Sequence, residues 1–244
     1  ATVAFGSGVP VVGAPAMHEV MLDQPILAEH QRTLVKRLGV TWVEPVRAEN
    51  KAKLADGGAI VEAVIHRLAN DPAKPGPLAG TKTLVVSGAT AEAIDPVRVL
   101  TNLSSGRSGH LIATELARLG AEVTLWQGHA TQPVPDHLVA HTTRFATHAE
   151  LMRLAKGKGV KAFHQVWMPA AIGDYGAKAA KQKIPSGAES LTLELGPLAK
   201  VAEVLRKAAP KALLVAFKAE SDPKGLVERA RDRLKRYGAQ YVVA

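Results

Sequence analysis

The sequence predicts an α/β fold: a mainly parallel sheet with helices on both faces, preceded by a partial α/β unit. Three observations lead there. Apolar runs of strand length alternate with stretches of helical period along the chain. The clearest run, residues 83–87 (Thr-Leu-Val-Val-Ser), has the pattern of a strand buried on both faces. One proline-rich stretch divides the series into a shorter and a longer part. Alternation of this kind builds a parallel sheet and leaves its ligand at the carboxyl ends of the strands.

Taken in order, residues 10–14 read as a strand, 24–38 as a helix stopped by Gly39, and 40–43 as a second strand. Residues 59–68 read as the last helix of the shorter part. From Asn70 to Pro77, three prolines and a glycine fall within eight residues, the composition of a linker. The longer part opens with strand 83–87. Helix 108–119 follows, with Ile112, Leu116 and Leu119 at i, i+4, i+7 and Gly120 as its stop. Strand 122–126, helix 148–155 and strand 160–167 come next, and Thr147 with Glu150 forms a capping box for that helix. Leu191, Leu193 and Leu195 alternate strictly with polar residues, which predicts a half-exposed strand, as at an antiparallel edge. Helix 198–208, strand 212–217, helix 223–237 (begun by Asp222-Pro223, closed by Gly238) and strand 240–244 complete the series. The expected organisation is a partial domain over 1–69, a linker over 70–80 and a full domain over 81–244, with no internal repeat.

Composition sets limits. A chain of 244 residues with 47% hydrophobic content suits one full domain plus part of another. No run approaches the roughly 18 apolar residues of a membrane span, and no secretory leader is expected at the start. With no cysteine, disulfides and thiolate metal sites are excluded. The net charge of +9 raises nucleic acid as a partner, but the basic residues are scattered and only 4% of the chain is aromatic. A basic surface with some charge focused on phosphate ligands is the preferred reading.

The polar loop Asn102-Leu103-Ser104-Ser105-Gly106-Arg107-Ser108-Gly109 stands between a buried strand and an amphipathic helix. Strand, donor-rich loop and helix together suit a phosphorylated ligand. The wording of the segment says more. Ser87-Gly88-Ala89-Thr90, then Asp95-Pro96-Val97-Arg98, then Asn102-x-Ser104-Ser105-Gly106-Arg107-x-Gly109 closely resembles the synthetase half of the bifunctional phosphopantothenoylcysteine synthetase/decarboxylase family of coenzyme A biosynthesis. Ala170-Ala171-Ile172-Gly173-Asp174-Tyr175, Lys183-Ile184 and Ala216-Phe217-Lys218-Ala219-Glu220 resemble three further blocks of that family, in its order. The likeness runs from about Leu78 to the last residue. Near the start, Ala14-Pro15-Ala16-Met17-His18-x-x-Met21 resembles the Pro-x-Met-Asn-x-x-Met-Trp signature of the flavin-dependent half, with His18 in place of Asn and Leu22 in place of Trp.

The resemblance implies a Rossmann-like synthetase domain after part of a flavodoxin-like unit. It implies a cytoplasmic ligase that joins 4′-phosphopantothenate to cysteine, with CTP or ATP as co-substrate, Mg²⁺ on the triphosphate, and no nucleic-acid or membrane partner. A nucleoside triphosphate first converts the carboxylate to an acyl-nucleotidylate and releases pyrophosphate; the amine then attacks and expels the nucleotide. Both steps build negative charge, so catalysis rests on positioning and on fixed donors and cations. By resemblance Asn102 holds the acyl intermediate and Lys183 meets the α-phosphate. Gly88, Ala170, Ala171, Asp174, Phe217 and Arg233, with Lys183, bind the nucleotide. A homodimer through the 81–244 domain is expected, with no protein-built metal site.

The residues by themselves leave plainer readings open. Asn102 suits a turn asparagine bonded to its own backbone, Lys183 one of a solvated run with Lys178 and Lys181, Asp174 an N-cap, and Phe217 a core aromatic. Where the family has two lysines near the end, this chain has Arg233 and Tyr237, and Lys235 or Arg236 is the expected compensation. In the flavin half, Met17 and His18 are the implied substrate-binding residues. The region of the cysteine-bearing flap corresponds to Glu49 through Ala55, without a thiol, and FMN is not expected to be held by this fragment. A non-catalytic flavoprotein or nucleotide-binding regulatory module is the alternative. A nicotinamide dehydrogenase is disfavoured, since no G-x-G-x-x-G follows residues 83–87 and Tyr175 has no lysine four residues on.

Overall fold

A computed structural model describes residues 6–71, 74–129, 139, 141–187, 189–220, 222 and 224–244. They divide into two compact units. One takes in residues up to Gly80 together with Thr114–Glu122; the other takes in Thr81–Ala113 and most of the chain from Val123 onward.

In the first unit, β1 (Val12–Gly13) lies parallel to β3 (Thr41–Trp42), with a small core of Val43, Ala55 and Ala63 nearby. Strands β2 (Met17–His18), β4 (Val46–Ala48) and β5 (Lys51–Lys53) form an antiparallel ribbon in the order β2-β5-β4. Helix α1 (Glu19–Leu22) is a single turn, and α2 (Pro25–Leu38) starts at a proline and ends at Gly39 with φ 66°. Helix α3 (Gly57–Ala69) is capped by the Asp56 carboxylate, which accepts from Gly58 N at 2.9 Å. The stretch read as a linker holds a short pairing of β6 (Asn70–Asp71) with β7 (Lys74–Pro75); residues 72 and 73 lie outside the described residues.

The second unit is built on a six-stranded parallel sheet. Its strands are β8 (Lys82–Ser87), β11 (Glu122–Gln127), β12 (His141–Arg144), β13 (Gln165–Met168), β16 (Leu213–Phe217) and β17 (Tyr241–Val243), in the spatial order β12-β11-β8-β13-β16-β17. Counting from β8, that is the order 3-2-1-4-5-6 of a doubly wound Rossmann-like sheet, and its direction of growth reverses between β8 and β13. The hairpin β9 (Ala91–Ala93) with β10 (Val99–Thr101), and the antiparallel pair β14 (Tyr175–Ala177) with β15 (Leu195–Pro197), stand beyond the sheet.

Strand alternation explains the burial. Leu84, Val86, Trp126, Val166, Met168, Leu214 and Ala216 belong to one core, filled by Leu151 and Ala155 of α5 (His148–Ala155) and by Val201, Ala202 and Leu205 of α6 (Val201–Ala208). The alternate residues Val85, Leu125 and Val215 are also buried, so the central strands are covered on both faces. Helix α4 (Arg107–Arg118) starts against the end of β8. A Cβ on Gly109 would meet Ser87 Oγ at 2.2 Å, so only glycine allows that approach. Ser87 Oγ in turn donates to Gly106 O at 3.1 Å.

Four expectations are corrected. The run 160–167 is divided: Lys158–Ala162 forms a 3-10 turn with Val160 buried, and the strand begins only at Gln165. The alternating residues 191–195 are not a strand over a core. Leu191, Leu193 and Leu195 are all exposed, and pairing starts at Leu195. Helix 198–208 begins at Val201, because residues 198–200 turn toward the site described below. The final helix is α7 (Leu226–Tyr237); residue 223, its expected start, lies outside the described residues.

Candidate functional site

A cavity of about 470 Å³ opens at the carboxyl ends of β13 and β16, beside the reversal point of the sheet. Five segments converge on it. The loop after β10 brings Asn102 and Leu103; the turn after β13 brings Ala170 through Asp174; the start of α6 brings Ala199 and Lys200. The end of β16 brings Phe217 and Lys218, and α7 brings Arg233 and Tyr237.

Hydrogen bonds fix the walls. Thr90, buried at the end of β8's turn, accepts from Gly173 N through Oγ1 at 2.9 Å, and its carbonyl accepts from Thr101 Oγ1 at 2.8 Å. One threonine thus joins the 170–174 turn to the strand leading into Asn102. The Asn102 carboxamide donates to Ala171 O at 3.2 Å, a bond across the chain rather than within its own turn. Gly88 is buried with φ 81°, and its carbonyl accepts from Ala171 N at 2.8 Å. It supports the wall without lining the cavity. On the far wall, His148 Nε2 lies 2.7 Å from Ala199 O and holds the approach to α6.

The electrostatics favour an anion. Lys200, Lys218 and Arg233 line the cavity against the single carboxylate of Asp174. Asp174 pairs with Lys200 and caps no helix. The first turn of α6 borders the same space, its partial positive charge directed there. Lys218 is also paired, to Glu220 at 3.2 Å. Arg233 donates to the Tyr237 hydroxyl at 3.2 Å and lies 5.9 Å from its ring centroid. Tyr237 therefore steers the cation that this helix brings to the cavity. Phe217 is half-buried at the mouth rather than in the core.

The structure brings together Asn102, Ala170, Ala171, Asp174, Phe217 and Arg233. Lys183 is not among them: it is exposed and does not line the cavity. Its neighbour Ile184 is fastened to the Asp95–Arg98 turn, donating its N–H to Asp95 Oδ2 at 3.1 Å while its carbonyl accepts from Arg98 Nη2. Burial pushes the Asp95 carboxyl up. The N–H groups of Val97, Ile184 and Arg98 and the Arg98 guanidinium outweigh that and hold it down to about 2. Lys235 and Arg236 do not line the cavity either; Arg236 pairs with Glu203 at 2.8 Å. The cations gained instead are Lys200 and Lys218. Nothing near Lys200 in sequence marks it, whereas Lys218 lies within the segment Ala216–Glu220 that resembles a family block. The donor-rich loop before α4 bonds partly within itself. Ser104 and Ser105 hydroxyls accept from Gly106 N and Arg107 N, and neither of those residues faces the cavity.

In the first unit, Met17 and His18 pair across the ribbon with Ala52 and Lys51, inside the region read as a thiol-free flap. Glu49 and Asn50, both at positive φ, make the turn that returns it. His18 is exposed on this ribbon. Among the described residues no group of three or more His, Cys, Asp or Glu side chains is placed to hold a metal, and no helix is long and apolar enough to cross a membrane.

Fold and site define a doubly wound α/β protein with a cavity at the carboxyl ends of its strands, lined by Lys200, Lys218 and Arg233. Residues 78–244 match the family model described as DNA/pantothenate metabolism flavoprotein, C-terminal domain, and residues 1–69 match a flavoprotein model. The chain belongs to the DNA/pantothenate metabolism flavoprotein family. It is 39% identical over 240 residues to the coenzyme A biosynthesis bifunctional protein CoaBC of Thermococcus kodakarensis, covering 96% of this chain and 57% of that protein. It is 32% identical over 242 residues to the Methanocaldococcus jannaschii protein of the same name, covering 98% of this chain and 57% of that one. The chain thus spans somewhat over half the length of these relatives. Its structure also resembles the crystal structure of a CoaBC C-terminal domain, with a TM-score of 0.58 and 30% identity, over 68% of this chain and 76% of that one.

Proposed function

We propose that this chain ligates 4′-phosphopantothenate to cysteine through an acyl-nucleotidylate, with CTP or ATP as co-substrate, forming phosphopantothenoylcysteine for coenzyme A biosynthesis. The observation that carries the reading is convergence: residues from separate sequence blocks, Asn102, Ala170–Asp174 and Phe217, meet at one cationic cavity at the end of a parallel sheet. The two curated relatives bear the name of that biosynthesis.

In this reading, Ala170 and Ala171 let the nucleotide approach the backbone, Phe217 packs on base or ribose, and Asp174 exchanges its bond to Lys200 for a ribose or base donor. Lys200 is then released toward the phosphates, beside Arg233 and the start of α6. Asn102 donates its amide to the acyl oxygen as charge develops there. Lys183 meets the α-phosphate by extension of its flexible side chain from the segment held at Ile184. Mg²⁺ would enter with the triphosphate, held by phosphate oxygens and water. The organisation proposed is a decarboxylase-like portion over 1–69, a linker over 70–80 and a ligase domain over 81–244 that forms a homodimer in the cytoplasm.

The test is direct. Purified protein with 4′-phosphopantothenate, cysteine, Mg²⁺ and CTP or ATP is expected to release pyrophosphate and yield phosphopantothenoylcysteine by mass spectrometry. Nucleotide binding without pyrophosphate from any triphosphate would favour the non-catalytic module instead.

A further inference from the structure

We propose that Asp95 is a positioning residue that fixes two segments of the candidate site at once: the strand that delivers Asn102 and the strap that carries Lys183. The inference rests on the ligase reading only for the roles of those two residues; the fastening itself stands on geometry.

Asp95 lies at the turn of the β9–β10 hairpin and is 3% exposed. Its Oδ1 accepts from Val97 N and Arg98 N, both at 2.8 Å, as any turn aspartate would. Its Oδ2 does something a turn does not need. It accepts from Arg98 Nε at 2.9 Å and from Ile184 N at 3.1 Å, the latter 89 residues further along the chain. Arg98 then extends past Asp95 to the Ile184 carbonyl. Four residues earlier on the strap, Ala180 N donates to Ile94 O at 2.8 Å. Residues 180–184 are therefore tied at both ends to residues 94–98, and Lys183 is next to the second tie.

The same turn governs Asn102. Ile94 N donates to Arg98 O at 2.8 Å and closes the hairpin, and β10 runs from Val99, opposite Ala93, through Thr101 to Asn102. A buried carboxylate with these partners is costly to disturb, because each lost partner leaves a polar group unpaired. The same donors hold the carboxyl in its ionised form, down to about 2.

Amide hydrogen exchange, run beside the two half-reactions, tests the proposal. Asp95→Asn is expected to speed exchange at Ile184 at least tenfold. Arg98→Lys is expected to do the same, since an ammonium cannot hold Asp95 and reach the Ile184 carbonyl together. In both variants pyrophosphate–triphosphate exchange and amide formation should fall together, by ~10²-fold for an ångström-scale misplacement, whereas Lys183→Gln should depress the first step alone. Unchanged exchange at Ile184 in a folded variant overturns the fastening. Faster exchange with both half-reactions at wild-type rates overturns the positioning role. Should Asp95→Asn fail to fold, Arg98→Lys decides alone. A wild-type protein with protected Ile184 but no ligase activity refutes the ligase reading, while exchange in the variants still decides the strap.

Discussion

Lys183 carries a full charge on a flexible stem, while Asn102 presents a neutral donor already bonded to Ala171 O at 3.2 Å. The two are therefore expected to act on different steps. On the proposed ligase reading, Lys183→Gln would remove charge from the activation transition state, so pyrophosphate exchange into the triphosphate should drop. Asn102→Asp replaces a donor with a repelling anion beside the acyl oxygen, so amide formation should suffer more and acyl-nucleotidylate should accumulate. Loss of one such oriented group costs ~10²–10³ in rate, far beyond the effect of a solvated lysine or a turn asparagine; near wild-type rates in both assays would return both residues to those plain roles. Asp95 supplies a prediction in stability. Its carboxyl is lowered from 3.8 to about 2 in the folded chain, so its contribution is complete above 3.8 and is lost as pH falls toward about 2. Facing it are the N–H groups of Val97, Arg98 and Ile184 and the Arg98 guanidinium. Wild type should thus lose stability more steeply than Asp95→Asn between those two pH values, as read from urea midpoints; parallel curves would refute this.

At the scale of elements, what was legible followed from burial. Lys82–Ser87 and Leu213–Phe217 announced themselves because strands covered on both faces must be apolar throughout. The edge strand His141–Arg144 (His-Thr-Thr-Arg) is largely exposed and carries no such pattern, so it went unread. Leu191 to Leu195 misled for the opposite reason: its alternation is genuine in sequence, yet no core lies beneath it. The Thr147 capping box was read correctly, Thr147 Oγ1 accepting from Glu150 N at 3.2 Å and Glu150 reaching back to Ala146 N at 2.7 Å. Asn102, Asp174 and Phe217 were legible through their blocks, but Lys200 reaches the cavity only through the packing of α6, which no local pattern encodes. The packing of α4 on β8 gives a sharper test. Gly109→Ala would place a methyl 2.2 Å from Ser87 Oγ and 3.2 Å from Ser87 Cα, so helix or strand must shift. A cost of about 1–3 kcal/mol is expected for such overpacking, with a parallel loss of turnover because the shift reaches the loop of Asn102. An unchanged denaturation midpoint would show that the contact relaxes freely.

For the whole molecule, the mainly parallel sheet with helices on both faces followed from alternation, whereas the order of its strands and its association with other copies depend on packing and surfaces that no periodicity marks. The hairpin and loop leading to the site carry apolar side chains outward: Val97 is 67% exposed, Val99 50%, and Leu103 is fully exposed beside Asn102. Contact with a second copy would cover these exposed apolar side chains, all within six residues of Asn102. A two-fold pairing would bury the same patch on each copy and brace the Asn102 loop. A homodimer is therefore expected at micromolar concentration by light scattering. Leu103→Asp introduces a charge that a buried interface cannot solvate, so it should shift the protein toward monomer and reduce amide formation with it, and both should recover as protein concentration rises. That joint recovery separates a braced loop from simple damage to the site, which dilution and concentration would leave unchanged. A wild-type monomer with full turnover would refute the dimer requirement, and a Leu103→Asp dimer with wild-type turnover would move the interface elsewhere on the domain.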